Sequence, residues 1–188
     1  REGILIGTAC NQGEVFETVL QKSEDEAEKV AEFYDYIEVQ PPANYAHLLA
    51  GDLVQNEAQI LEVIQKITKL GERLEKPVVA TGNVHYIDDH EKIYRQILIK
   101  SQAGNPLNRQ PLPDTPFRTT NEMIECFSFL GEEKAKEIVV KNSQFIANQV
   151  EEISPVKEDL YTPNIEGADE EVRQLSYDTA HQLYGSPL

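Results

Sequence analysis

The sequence predicts an α/β fold in which short parallel strands alternate with helices, followed by a helical extension. Three observations carry this reading. Three short apolar runs rich in β-branched residues, near residues 3–9, 34–42 and 78–82, are separated by stretches with helical spacing. The third, "VVATG", is continuously apolar rather than alternating, as in a strand buried on both faces of a parallel sheet. The resulting strand–helix–strand–helix–strand order is that of βαβ units. Three strands cannot close a barrel, so partner strands are expected from elsewhere.

The elements follow in order. "GILIGTA" (3–9) is a β-branched run between glycines and reads as the first strand. In "GEVFETVLQ", Val15, Phe16, Val19 and Leu20 fall at helical spacing. "SEDEAEKVAEFY" (23–34) opens with Ser23 and Glu26 in capping-box register, and acids in its first turn suit the positive end of the helix dipole. "YDYIEVQPP" (34–42) is the second strand, stopped by Pro41 and Pro42. A helix is predicted over roughly 56–75, with Ile60, Leu61, Ile64, Ile67, Leu70 and Leu74 as its apolar stripe. Pro77 ends it and opens the third strand.

The remainder changes character. Residues 93–102 are predicted helical, and 103–117 form a loop rich in Pro, Gly and Asn. Two helices are expected over 119–130, with a Thr cap, and over 132–153. A break at 154–168 leads to a last helix at about 169–184.

The formal net charge of −16, with 33 acids against 17 bases, argues against a surface that binds DNA phosphates directly. No apolar run reaches membrane-spanning length, and no leader pattern is visible. The two cysteines, Cys10 and Cys126, have no CxxC spacing; their number allows one disulfide, but they read as free thiols in a reducing cytoplasm. The chain begins at Arg1, and its only methionine is Met123, so a piece of a longer protein is expected.

Functional groups of parallel α/β folds gather at the C-terminal ends of strands. Two such ends carry polar groups here. Glu38 lies at the second strand's end with Gln40 on the same face, and Asn83 and His85 leave the third strand two apart. A carboxylate, an amide oxygen and an imidazole converging there would make a mixed oxygen–nitrogen site suited to zinc, manganese or iron. Spacing alone also allows the plainer reading, a hydrogen-bonding turn at Asn83–His85 and a satisfied carboxylate at Glu38. His90 reads as a solvated cap, and His47 and His181 as surface or packing residues. "GTACNQG" lacks the dinucleotide fingerprint, no phosphate loop is present, and neither Ser101 nor Cys126 has a base in motif form.

Taken together, "EGILIGTACNQGEVF", "FYDYIEVQPP", "KPVVATGNVHYID", "FRTTNEMIECFSFLGEEKAKEIVV" and "DLYTPNIEGADEEVRQLSYDTAHQLYG" resemble the PolC-type alpha subunits of bacterial DNA polymerase III. These are the replicative polymerases of low-GC Gram-positive bacteria. The resemblance runs through essentially the whole chain. It implies a PHP (polymerase and histidinol phosphatase) domain, a distorted, TIM-like β/α barrel with metal ligands at its strand ends, split by an inserted 3′–5′ exonuclease. Residues 1–110 would be the C-terminal part of the split domain, 111–155 its helical continuation, and 156–188 a linker and helix leading to the polymerase palm.

The resemblance also implies roles for single residues. Glu38 in "YIEVQ" is similar to the family's strand glutamate. Asn83 and His85 match its last metal motif, in which DnaE-type relatives carry Asn and Asp where this chain has Gly82 and Asn83. A neutral amide thus replaces an anionic ligand, which implies metal binding, with zinc or manganese, and little or no hydrolysis. Magnesium would serve the polymerase and exonuclease sites outside this chain. The implied partners are the rest of the polymerase chain and, through it, DNA and replisome subunits, with no membrane. Two rival readings follow: a PHP region that is itself a metal-dependent phosphoesterase or 3′–5′ exonuclease, and a purely structural one without metal.

Overall fold

A computed structural model describes residues 2–50, 53–109, 111–154, 156 and 163–186. The chain divides into two compact units, Arg1–Val150 and Glu151–Leu188. The first is helix-rich around a two-stranded parallel sheet, β1 (Ile37–Val39) and β2 (Val78–Ala80). Ile37 pairs with Val78, Glu38 with Val79 and Val39 with Ala80, the parallel pairing expected from the sequence. All three β2 residues are buried, which accounts for its continuous apolar run.

Helices α1 (Glu14–Gln21) and α2 (Glu24–Ala31) precede β1. The Ser23–Glu26 capping box is formed, so α2 starts where the sequence places it. It stops three residues before the predicted Tyr34. The Lys76 ammonium donates to the carbonyls of Ala31, Glu32 and Tyr34, satisfying groups a longer helix would have paired internally.

A 3₁₀ turn at Pro42–Tyr45, the short α3 (His47–Ala50) and α4 (Glu57–Arg73) lead from β1 to β2. The Asn56 side chain accepts from Gln59 N–H and caps α4. Ile60, Val63, Ile64, Ile67 and Leu70 of α4 are buried, whereas Leu61 and Leu74 are only partly so. A Cβ on Gly71 would sit 2.3 Å from Val78 Cγ2, so glycine permits the close helix–strand approach. Ile37, Val39, Phe127 and Ile138 complete the buried core around α4, and Phe16 stacks on Tyr45 at 5.0 Å.

Two expected elements take another form. The first strand contracts to a single parallel bridge, Gly7 to Tyr36. The next ladder position is taken by a side chain, because Glu38 N–H donates to Thr8 Oγ1 at 2.9 Å. With no backbone carbonyl there, the ladder stops on the C-terminal side of the bridge; on its N-terminal side Ile4 and Leu5 are exposed. The helix predicted over 132–153 is divided into α7 (Glu132–Lys136), a π-helical segment Glu137–Lys141 and α8 (Asn142–Ala147). The wider turn seats Ile138 fully in the core, and Asn142 Nδ2 donates to the Val78 carbonyl at 2.8 Å.

Between these parts lie α5 (Lys92–Ser101) and α6 (Thr120–Cys126), the latter opened by a Thr119–Glu122 capping box. The second unit carries α9 (Ala168–Tyr184). Residues 110, 155 and 157–162 fall at the expected domain limits and within the expected break, and lie outside the described residues. Among the described residues no helix is long and apolar enough to cross a membrane.

Candidate functional site

Glu38 sits in the middle of β1 and is half-buried. Its Oε2 accepts from the Thr81 hydroxyl at 3.2 Å, and the Tyr36 ring lies beside the same carboxylate, both close to Gly7. Burial, and then the Glu38 charge, push the Tyr36 phenol up, so it remains a donor. A Cβ on Gly7 would lie 2.4 Å from Tyr36 Cζ and 2.7 Å from Glu38 Oε1. Glycine therefore leaves room for this cluster.

Thr81 N–H donates to the Val39 carbonyl at 2.9 Å and extends the β ladder by one residue. The chain then turns, with Asn83 at φ 49°, a left-handed conformation that asparagine tolerates better than most residues. Strand alternation is interrupted at this point. Asn83 and His85 are joined instead by a bond of 2.8 Å between His85 Nδ1 and the Asn83 carbonyl. A carbonyl only accepts, so Nδ1 carries the proton and neutral His85 presents its Nε2 lone pair. His85 is exposed.

The loop at 114–117 braces this turn. His85 N–H donates to the Thr115 carbonyl at 3.0 Å, and Phe117 N–H to the Tyr86 carbonyl at 2.8 Å. The Tyr86 hydroxyl donates to Asp114 Oδ1 at 2.8 Å and accepts from Thr115 N–H at 3.0 Å. Lys92 Nζ pairs with the same Asp114 oxygen at 2.9 Å.

The hydrogen bonds thus link Asn83 with His85, and Glu38 with Thr81. Among the described residues none joins Glu38 to Asn83 or His85, and no three His, Cys, Asp or Glu side chains form a metal-holding group. A carboxylate, an amide oxygen and an imidazole nitrogen fit zinc or manganese by type. They number three donors, Glu38 the one anion among them, against the four that zinc usually takes. Neither Thr81 as the hydrogen-bond partner of Glu38 nor Tyr36 as its neighbour was anticipated from the sequence. Thr81 lies two residues after its β2 partner Val79, and the two-residue strand period could have placed it beside the carboxylate.

The other candidates keep their plainer roles. His47 is half-buried, its Nδ1 donating to the Asn44 carbonyl and its Nε2 accepting from Asn11 Nδ2, both at 3.0 Å. Burial lowers its pKa, which favours this neutral form. His90 is exposed in a 3₁₀ turn, Asp89–Glu91, beneath an Asp88–Glu91 capping box. His181 is exposed on α9. Cys10 and Cys126 are free thiols, and burial pushes the Cys126 thiol up.

No family model matches the chain. Curated relatives do. The chain is 66% identical over 188 residues to DNA polymerase III PolC-type of Oceanobacillus iheyensis, and 64% identical over 189 residues to that of Bacillus subtilis. The chain matches a segment of PolC-type DNA polymerase III. The corresponding protein of Staphylococcus haemolyticus is 52% identical over 188 residues. Each alignment covers 100% of this chain and 13% of the relative, so the chain spans about an eighth of the PolC-type proteins it matches. The resemblance read from the sequence phrases is therefore borne out along the whole chain.

Proposed function

We propose that this chain is a scaffold segment of a replicative DNA polymerase, retaining part of a metal site. The parent would extend a primer on a DNA template in the bacterial cytoplasm, with magnesium held by palm and exonuclease groups outside this chain. Within it, residues 1–110 complete a split PHP domain with a distorted β/α barrel, 111–155 continue it as helices, and 156–188 lead to the palm. The observation that carries this reading is the identity to PolC-type polymerases across the full chain.

Glu38, Asn83 and His85 would hold zinc or manganese together with donors from the rest of the polymerase. A bound ion would supply Lewis-acid polarisation of a phosphodiester oxygen or a water. The chain's own residues do the rest. Thr81 orients the Glu38 carboxylate, and the Asn83 carbonyl fixes the His85 ring with Nε2 outward. Asn83 adds no charge to offset the ion, which favours a structural metal over a hydrolytic one. With a net charge of −16, this segment would meet DNA and replisome partners only through the parent chain.

The test is metal content and phosphodiester cleavage in full-length polymerase whose inserted exonuclease is inactivated. The expected result is about one zinc or manganese per chain lost on His85→Ala, with no cleavage before or after. Cleavage abolished by His85→Ala would replace the scaffold reading with a phosphoesterase. Unchanged metal content would remove His85 as a ligand.

A further inference from the structure

We infer that Asn44 is the positioning residue of the strand-end turn: its buried amide grips Gly82 and so sets the Asn83–His85 pair. The consequence for metal rests on the reading proposed above. The grip itself does not.

Asn44 lies in the 3₁₀ turn Pro42–Tyr45, just beyond β1, and is 0% exposed. Its Nδ2 donates to the Gly82 carbonyl at 2.9 Å and to Gln40 Oε1 at 3.5 Å. Its Oδ1 accepts from Arg118 Nη1 at 3.3 Å. Its backbone carbonyl accepts from His47 Nδ1. One side chain and its carbonyl therefore tie the end of β1, α3, the turn after β2 and the 114–118 loop.

The amide has a single workable orientation. Rotated by half a turn, its oxygen would face the Gly82 carbonyl and Gln40 Oε1, and its NH₂ group would face the Arg118 guanidinium. Each contact would then set like against like. Gly82 precedes Asn83, whose left-handed backbone aims the carbonyl that holds His85 Nδ1. Arg118 Nη2 also donates to the Asp114 carbonyl at 3.4 Å, so the network reaches the loop that holds His85 N–H. Without the tether at Gly82, the carbonyl of Asn83 is free to swing and the His85 ring loses its fixed tautomer. A fully buried amide in a Pro–Ala–Asn–Tyr turn is otherwise a costly place for a polar side chain.

Asn44→Asp separates this role from bulk packing. The carboxylate has nearly the same shape and keeps an acceptor for Arg118, but it offers Gly82 and Gln40 an oxygen in place of N–H. Arg118→Ala, at a half-exposed position, loosens the same network from outside. Both are made in full-length polymerase and read by hydrogen exchange over residues 81–86, with α4 as internal reference, and by zinc titration.

The expected result for Asn44→Asp is exchange faster by about tenfold or more at the His85 amide, which Thr115 holds, with α4 unchanged, and zinc binding weaker by a similar factor. Arg118→Ala shifts both in the same direction by less. Unchanged exchange at the His85 amide in both variants, or an equal rise in α4, overturns the inference. If Asn44→Asp does not fold, Arg118→Ala decides alone. Wild-type polymerase that takes up no zinc, with the exchange response intact, removes the metal reading and supports the role of Asn44 in holding the turn.

Discussion

Helices α4 and α5 are both amphipathic, yet the structure treats them oppositely. Helix α4 buries Ile60, Val63, Ile64, Ile67 and Leu70. Helix α5 buries none, leaving Ile93, Tyr94, Ile97 and Leu98 between 51% and 63% exposed. The reason is topological. Helix α4 is the crossover between two paired parallel strands and must lie on the sheet they form. Helix α5 follows β2, and its ties are polar: Lys92 to Asp114, and Arg95 Nη1 to Thr115 Oγ1 at 3.4 Å. Apolar periodicity announces that a helix has a face. It does not say what covers it.

The largest effect should come from the covered face. Ile64→Ala should cost about 2–5 kcal/mol in chemical denaturation, because the fully buried side chain leaves a cavity between α4 and the sheet. A cost near that of a surface substitution would break the contrast between the helices.

The polar ties of α5 should respond to acid, whereas α4 should not. Burial pushes the Asp114 carboxyl up, but hydrogen bonds from Lys92 and Tyr86, with the charges of Lys92 and Arg118, more than reverse this. Its pKa ends below the ordinary value. The stabilisation is then complete above the unfolded pKa of about 3.9 and is lost as pH falls through the lower folded value. Exchange in α5 should rise through that acid window in wild type and already be raised at neutral pH in Asp114→Asn. An acid response shared equally by α4 would point to global unfolding.

The smallest effect belongs to the open face. Ile97→Ser should change the stability of this chain alone by no more than about 0.5 kcal/mol, since the side chain is already in water. A much larger loss from the same substitution in full-length polymerase would sharpen the comparison, because it would mean that the rest of the protein covers α5.

What the sequence disclosed follows the same division. Local chemistry was legible: the capping boxes at Ser23 and Thr119, the body of α4, and the apolar run that became β2. Elements settled by distant partners were not. The first strand failed because Thr8 Oγ1, not a backbone carbonyl, meets Glu38 N–H. The π-helical segment arises where Ile138 seats in the core and Asn142 reaches Val78. Glu38, Asn83 and His85 were singled out by residue type as strand-end groups, but Glu38 lies in the middle of β1 and only Asn83 and His85 lie beyond a strand's end. The left-handed turn at Asn83 and the bond that orients His85 depend on Asn44 and on the 114–118 loop, which no spacing rule connects to residue 83.

Anomalous scattering from crystals of the full-length polymerase, at the zinc and manganese edges, would show whether the tip of β2 holds a metal. The expected result is a peak about 2.0–2.2 Å from His85 Nε2, with the Glu38 carboxylate in the same coordination shell. A peak bound entirely by other residues, or none near His85, would contradict it.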